Sequence, residues 1–405
     1  MTESMRGVRV LEVASWTFVP AAGAIMADWG ADVLKIEHPV TGDPQRGLAA
    51  MGVMPGAENA GNFMMQVPNR GKRSLGLDIA STDGRAVLAK LVATADVFLT
   101  NMLPSVRQKL RIDVDDIRSD NPNVIYVRGH GQGAQGPESD KAAFDGTAYW
   151  ARAGMADTLR PVGFDDPLGA RPAIGDVMGG LAIAGGIAAA LFERERKGVA
   201  RTVDISLLNT GMWQLQGDIA MTGALGLDDV LRFAGGRGGN PLVGNYPTAD
   251  GRFVFLNMMQ ADRFWPDLCA HLGRPDLVAD PRFADAAVRA QNSEACVAEL
   301  SAVFSTRTLD EWREAFTTLA GAWAPVQRAP ELKRDGQVVA NGYVQVVTDG
   351  EGRSYDLVGA PAQFDGEAHE LRPAPEHGEH TDEVLLDLGY TWDELIELKL
   401  SGAVS

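Results

Sequence analysis

Short apolar runs of strand length alternate with helical segments through the first half of this chain, and that alternation limits its fold more than any other feature. Val8–Val13 reads as a strand, Pro20–Trp29 as a helix and Asp32–Ile36 as a second strand, together a βαβ unit. Parallel strands need such crossovers because no hairpin turn can join them. The pattern continues with Ser74–Asp78 as strand, Asp83–Thr94 as helix and Val97–Thr100 as strand. Short helices at Val106–Leu110 and Val114–Ser119 then precede the strand Val124–Val127, and further on Thr202–Ile205 is strand-like and Leu207–Met221 helical. The expected fold class is α/β, a doubly wound domain with ligands at the carboxyl ends of its strands.

At 405 residues the chain is long for one core, so a second domain is expected. Composition shifts near Gly226. The Gly-dense loop Gly235-Gly236-Arg237-Gly238-Gly239-Asn240-Pro241 is followed by a hairpin strand at Gly251–Asn257 and a helical stretch from Ala261 to Ala320. Thr308-x-x-Glu311 forms a capping box within that stretch. Two strands, Tyr343–Val347 and Tyr355–Val358, and a helix near Asp382–Leu388 complete the pattern.

The formal net charge of −17 argues against nucleic acid or an anionic membrane as partner, although a few local cations can still hold an anionic ligand. Cys269 and Cys296 make neither a disulfide framework nor a zinc spacing, and they fit a reducing, cytoplasmic location. Met1–Arg9 carries no apolar core ahead of a cleavage site, so no signal peptide is expected. Val177–Phe192 is uncharged but shorter than the roughly 20 residues that span a bilayer, and its Gly and Ala content suits a buried helix.

That run is opened by Ala173-Ile174-Gly175-Asp176 and stopped by Glu193-Arg194-Glu195-Arg196-Lys197-Gly198. An acid at such a helix start is either an N-cap, its oxygen accepting free backbone N–H groups, or a reactive group. Gly131-x-Gly133-x-x-Gly136 follows a strand as a dinucleotide fingerprint would, but Pro137-Glu138-Ser139-Asp140 follows it in place of an apolar helix, which favours a plain loop. His377 and His380 lack metal-ligand spacing, Gly378 falls between them, and a turn into the terminal helix is the expectation, with no metal site. Asn69-Arg70-Gly71-Lys72-Arg73-Ser74 is the densest basic patch, which Lys35, Arg46, Arg107 and Lys109 would join at the strand ends. Such a patch suits phosphate recognition, or it is a solvated surface loop.

Taken together these segments resemble the class III CoA-transferases, the family of formyl-CoA and carnitine CoA-transferases that also includes α-methylacyl-CoA racemase. The resemblance rests on Val10-Leu11-Glu12 leading to Pro20, Gly30-Ala31-Asp32-Val33-Leu34-Lys35-Ile36-Glu37 and Asn69 to Asp78. It continues through Ala95-Asp96-Val97 to Asn101, Gly175-Asp176, Gly359-Ala360-Pro361 and Gly378-Glu379-His380-Thr381-Asp382. It implies a Rossmann-like large domain, residues 1–205, completed by a return segment, 326–405, around a smaller α+β domain, 226–325, in an interlocked homodimer. It also implies coenzyme A, as an acyl-CoA substrate, and a small carboxylic acid as partner substrate. Asp176 would be the nucleophile that forms a mixed anhydride and then an enzyme–CoA thioester, ionised at pH 7 because the reference carboxyl pKa is about 3.9. Gly238 and Gly239 match the family's glycine-rich loop over the active site, and Asp145 stands where transferases often carry Glu.

For CoA the family pattern points to Trp16, Thr17, His38, Leu77, Asn101, Met102 and Lys109. His38 replaces an Arg typical of the formyl-CoA enzymes, so Arg70, Lys72 or Arg73 would take over part of the phosphate grip. Thr17 replaces a Gln that helps stabilise intermediates, which leaves the acyl specificity open. In the racemase branch a His–Glu pair moves the α-proton. By spacing the His position is Phe144, and no acid lies near Leu256–Met259, so CoA transfer is expected over racemisation, with a non-catalytic CoA-binding protein as a further alternative.

Overall fold

The computed structural model describes residues 3–48, 61–233 and 239–405. The chain divides into two compact units. One comprises Met1–Asp157, Gly169–Ala220 and Lys333–Ser405, and the other Thr158–Leu168 and Met221–Leu332. Residues 158–168, placed by sequence within the large domain, therefore belong to the smaller unit.

The larger unit is built on six parallel strands: β1 (Arg9–Val13), β2 (Asp32–Glu37), β3 (Arg73–Gly76), β4 (Val97–Thr100), β5 (Ile125–His130) and β6 (Thr202–Ser206). Their order is β3-β2-β1-β4-β5-β6. Val10 pairs with Val33 on one side and Val97 on the other, so β1 is central and the winding reverses between β1 and β4. Alternate residues feed opposite cores, as a period of two requires. Val10, Val33, Val97 and Ile125 pack on one face, whereas Leu11, Leu34, Phe98 and Tyr126 pack on the other. Helices Thr82–Ala93, Val114–Asp120, Thr381–Asp387 and Trp392–Leu400 cover the second face.

The first face is covered by Phe18–Asp28 and by the long helix Ile174–Lys197. These two lie close because the contact is made by small residues. A Cβ added to Gly180 would come within 2.6 Å of the Ala21 Cβ and 3.0 Å of the Ala22 nitrogen. By length and composition Ile174–Lys197 is apolar enough to cross a membrane. One side of it is buried here through Gly179, Ile183, Ala184 and Ile187, while Ile174, Val177, Met178 and Phe192 are exposed. Thr391-x-x-Glu394 closes a capping box that opens the last helix, a signal of the same kind as Thr308-x-x-Glu311. The expected helix over Leu207–Met221 is two helices, Leu207–Gln214 and Gln216–Leu225. A hairpin of β10 (Val344–Thr348) and β11 (Ser354–Val358) also belongs to this unit.

In the smaller unit β7 (Val243–Pro247), β8 (Phe253–Asn257) and β9 (Trp323–Pro325) form an antiparallel sheet. Its core is aromatic, with Tyr246 stacked on Phe304 at 4.9 Å and Trp312 5.1 Å from Phe304.

Candidate active site

A cavity of about 770 Å³ opens in the larger unit over the carboxyl ends of β1 to β5, and so spans the reversal between β1 and β4. Open α/β sheets bind ligands there because the loops on the two sides of a reversal diverge and leave a crevice. Its volume is that of a small-molecule or cofactor site. Ser15 and Trp16 enter it after β1, His38 after β2, Leu77 after β3, Asn101 and Met102 after β4, and His130 from β5.

The turn after β1 is clamped residue by residue. Asn101 exchanges two hydrogen bonds with the Ser15 backbone, accepting its N–H at 3.1 Å and donating to its carbonyl at 2.7 Å. The Trp16 N–H donates to Asp43 Oδ1 at 3.1 Å, and the Thr17 hydroxyl to Gln45 Oε1 at 3.1 Å. Trp16 is thereby held at φ 69°, a left-handed conformation that a bulky residue keeps only when its surroundings enforce it. Asp43 is fixed from below by Lys35 at 2.9 Å, and Lys35 in turn bonds Glu12 at 3.2 Å. Lys72 also binds Glu12, at 2.7 and 2.8 Å, so a fully buried charge cluster underlies the turn.

Asp176 also lines the cavity. It is not the N-cap: the helix begins at Ile174, with Ala173 in the cap position at φ 58° and no side-chain cap bond. The helix start is instead satisfied from outside, since Asp145 Oδ1 accepts the Gly175 N–H at 3.0 Å. Gly175 permits that approach, because a Cβ there would lie 2.2 Å from Tyr149 Cγ and 2.3 Å from Asp145 Oδ1. Among the described residues the Asp176 carboxyl has no hydrogen-bond partner and no cation. Burial, reinforced by the nearby Asp145 charge, pushes its pKa up to about 7. At neutral pH the free protein therefore holds this group partly protonated, in contrast to the ionised carboxylate expected from the reference value. Burial raises Asp145 too, against the Gly175 N–H bond that favours its anion.

Of the residues expected to meet CoA, Trp16, His38, Leu77, Asn101 and Met102 line the cavity, and Thr17 lies just beneath it, buried. His38 Nδ1 accepts the Val40 and Thr41 N–H groups at 3.2 and 3.3 Å, which leaves the proton on Nε2. Lys109 is exposed on the helix Pro104–Leu110; Pro104, Val106 and Leu110 of that helix line the cavity, but Lys109 does not. The basic patch is not assembled there. Arg70 is buried and paired with Asp28 at 2.6 Å, Lys72 is held by Glu12, and Arg73 grips Asp32 at 2.6 Å near the start of β3, the opposite end of the sheet. Lys35 is likewise internal, Arg46 is paired with Glu37 at 2.7 Å and Arg107 with Asp113 at 3.2 Å. Gly238 lies outside the described residues. Gly239, in the smaller unit, has φ +85°, and no atom of the described residues beyond its chain neighbours lies within 4 Å of where a Cβ would stand.

Sequence reasoning missed Lys141, whose ammonium bonds Glu138 Oε1 at 3.0 Å at the cavity surface, and His130, whose Nε2 lies 2.8 Å from Asp204 Oδ1. Although burial works against its charge, hydrogen bonds from His130 and Arg128 hold the Asp204 carboxyl well below the usual range. Lys141 sits in the loop that follows the Gly131–Gly136 segment, so only a reading of that loop as part of the site would have found it. His377 and His380 serve structure: His377 Nε2 bonds the His38 carbonyl at 3.0 Å, and His380 Nδ1 accepts the Ser74 N–H at 3.3 Å.

Known proteins share this architecture along their whole length. The chain is 30% identical over 401 residues to (R)-2-hydroxy-4-methylpentanoate CoA-transferase of Clostridioides difficile, covering 99% of both chains. It is 31% identical over 402 residues to cinnamoyl-CoA:phenyllactate CoA-transferase of Clostridium sporogenes, covering 98% of this chain and 96% of that one. The crystal structure of a CAIB/BAIF family protein from Brucella suis superimposes with a TM-score of 0.82 at 25% identity, over 96% of this chain and 100% of that one. The family model described as CoA-transferase family III matches residues 5–381, and with a doubly wound sheet and a crevice at its point of reversal the chain belongs to that family.

Proposed function

We propose that the protein moves CoA from an acyl-CoA thioester to a free carboxylic acid, with Asp176 as the covalent carrier. The observation that carries this reading is the Asp176 carboxyl, without a partner among the described residues, at the wall of a large crevice at the strand ends. The Asp176 carboxylate attacks the thioester carbonyl, the C–S bond breaks, and CoA thiolate leaves behind a mixed anhydride. The thiolate returns to the aspartyl carbonyl and expels the donor as its carboxylate, leaving an aspartyl–CoA thioester. The acceptor carboxylate attacks that thioester, the C–S bond breaks, and CoA thiolate leaves behind a second anhydride. Thiolate attack on the acceptor's acyl carbon then releases the new acyl-CoA and restores Asp176. No net proton is consumed. Burial that raises the carboxyl pKa also makes its anion a stronger nucleophile, and a shielded pocket protects the anhydrides from water.

Trp16, His38, Leu77, Asn101, Met102 and the missed Lys141 are the side chains positioned to hold CoA, with Lys141 the ammonium for a phosphate. Arg70, Lys72 and Arg73 contribute through the fold. Phe144 lines the same cavity and carries no proton to exchange, which favours transfer over α-proton chemistry. We also infer a homodimer: Val177, Met178, Phe192, Met212 and Trp213 leave apolar area exposed on the larger unit, the kind of surface a second copy covers.

The test is exchange measured by mass spectrometry across acyl-CoA and acid pairs, with hydroxylamine trapping of the intermediate. The adduct is expected on Asp176, and Asp176→Ala should lose exchange while retaining CoA binding. Deuterium entering the α-carbon from heavy water without an acceptor acid would establish the epimerase alternative instead.

A further inference from the structure

Resting on the proposed function, and narrowing its substrate class, we propose that the acyl site accepts monocarboxylic acids with an apolar aryl or branched body and rejects acids with a second carboxylate. Three aromatic rings line the same cavity as Asp176. Phe144 directly precedes Asp145, whose carboxylate reaches Gly175 at 3.0 Å. Trp16 stands edge-on to Phe144, with centroids 5.6 Å apart at 88°. Phe18 lies against the Asp176 helix one turn further on, since a Cβ on Gly179 would be 2.2 Å from Phe18 Cε2. All three rings line the cavity, and Phe144 is 57% exposed within the isolated chain, an aromatic surface that its own fold leaves uncovered. An apolar acyl body gains by covering that surface.

The charges near the nucleophile exclude the other class. Asp145 and Asp176 already set two carboxyls against one another. The one lysine or arginine of the described cavity lining, Lys141, is the ammonium assigned above to a CoA phosphate, and so is not left for the acyl group. His130 is engaged with Asp204, and His38 Nδ1 with backbone N–H groups. A second carboxylate on the acyl group would enter a site that already holds two acids, with no cation among the described residues held ready for it.

Calorimetric titration of the full-length protein with CoA and three unreactive CoA thioethers, S-(3-phenylpropyl), S-(3-methylbutyl) and S-(2-carboxyethyl), tests this. The phenyl and branched probes are expected to bind about tenfold more tightly than the carboxyethyl probe. Phe144→Ala should erase most of that preference, read as the ratio of phenyl-probe to carboxyethyl-probe affinity in the same variant, so that any change in CoA affinity common to both probes cancels. A carboxyethyl probe that binds as well as the phenyl one overturns the inference, as does a preference that survives Phe144→Ala. Failure of CoA itself to bind would instead sink the proposed function, and this inference with it.

Discussion

Replacing Asp176 by Asn should make the protein inactive and, at alkaline pH, more stable. The carboxyl pKa rises from 3.8 to about 7 on folding, about 3 units. At about 1.4 kcal/mol per unit the ceiling is about 4 kcal/mol, and water in the open cavity reduces this to about 2 kcal/mol. The sign follows from proton binding. The folded protein holds the Asp176 proton more tightly than the unfolded chain, so the group's contribution to stability is fully present below pH ~4 and is lost as pH rises through ~7. Asn is neutral throughout. The stability gap in favour of Asp176→Asn should therefore be near zero at pH 4, open between pH 4 and 7, and reach about 2 kcal/mol at pH 8. For a unit of this size that is a melting shift of about 3 °C. Urea or thermal unfolding of both proteins from pH 4 to pH 8 at fixed salt provides the measurement. A gap independent of pH, or a wild type that is the more stable at pH 8, would refute the account of why this carboxyl is unpaired. A reactive group kept without partners costs stability where it is charged, and removing it should return that cost.

In the free enzyme, kcat/KM for exchange should rise with pH with a midpoint near 7, and Asp145→Asn should move that midpoint down by removing the like charge; a midpoint that stays put would separate Asp145 from the nucleophile's titration. Gly175→Ala places a methyl group 2.2 Å from the Tyr149 ring, so exchange should fall by about 100-fold or more while CoA binding, measured by calorimetry, persists. Arg70→Ala should cost about 3 kcal/mol of unfolding free energy by stranding the buried Asp28 charge, yet change CoA affinity less than about twofold. Lys141→Ala should do the reverse, weakening CoA about fivefold with stability unchanged. Asp43→Ala should cost about 3–5 kcal/mol because Lys35 loses a buried partner and Trp16 an acceptor, whereas Asp43→Asn, which keeps the acceptor, should cost less.

The division between what could be read from the chain and what could not follows the range of the interactions. Val8–Val13, Asp32–Ile36 and Val97–Thr100 announce themselves because strand burial is written in consecutive residues, and the parallel sheet follows from their spacing. Asp176 was legible as an acid at the start of an uncharged Gly/Ala helix. Its role as cap or carrier was not, because that depends on Asp145, thirty residues away, taking over the Gly175 N–H. The basic patch misled for the same reason: charge density is local, but Asp28, Glu12 and Asp32, which neutralise Arg70, Lys72 and Arg73, are brought to them only by the βαβ winding.

By itself, then, the amino-acid order determined the alternating strands and helices and the acid at the helix start, since each is set by neighbours within a few turns. Tertiary structure decided which cations are already paired, that Trp16 is forced into a left-handed turn above a buried charge cluster, and that Asp176 faces the crevice with its pKa near 7. Those outcomes depend on burial and on charges from distant segments, and neither exists until the chain has closed around them.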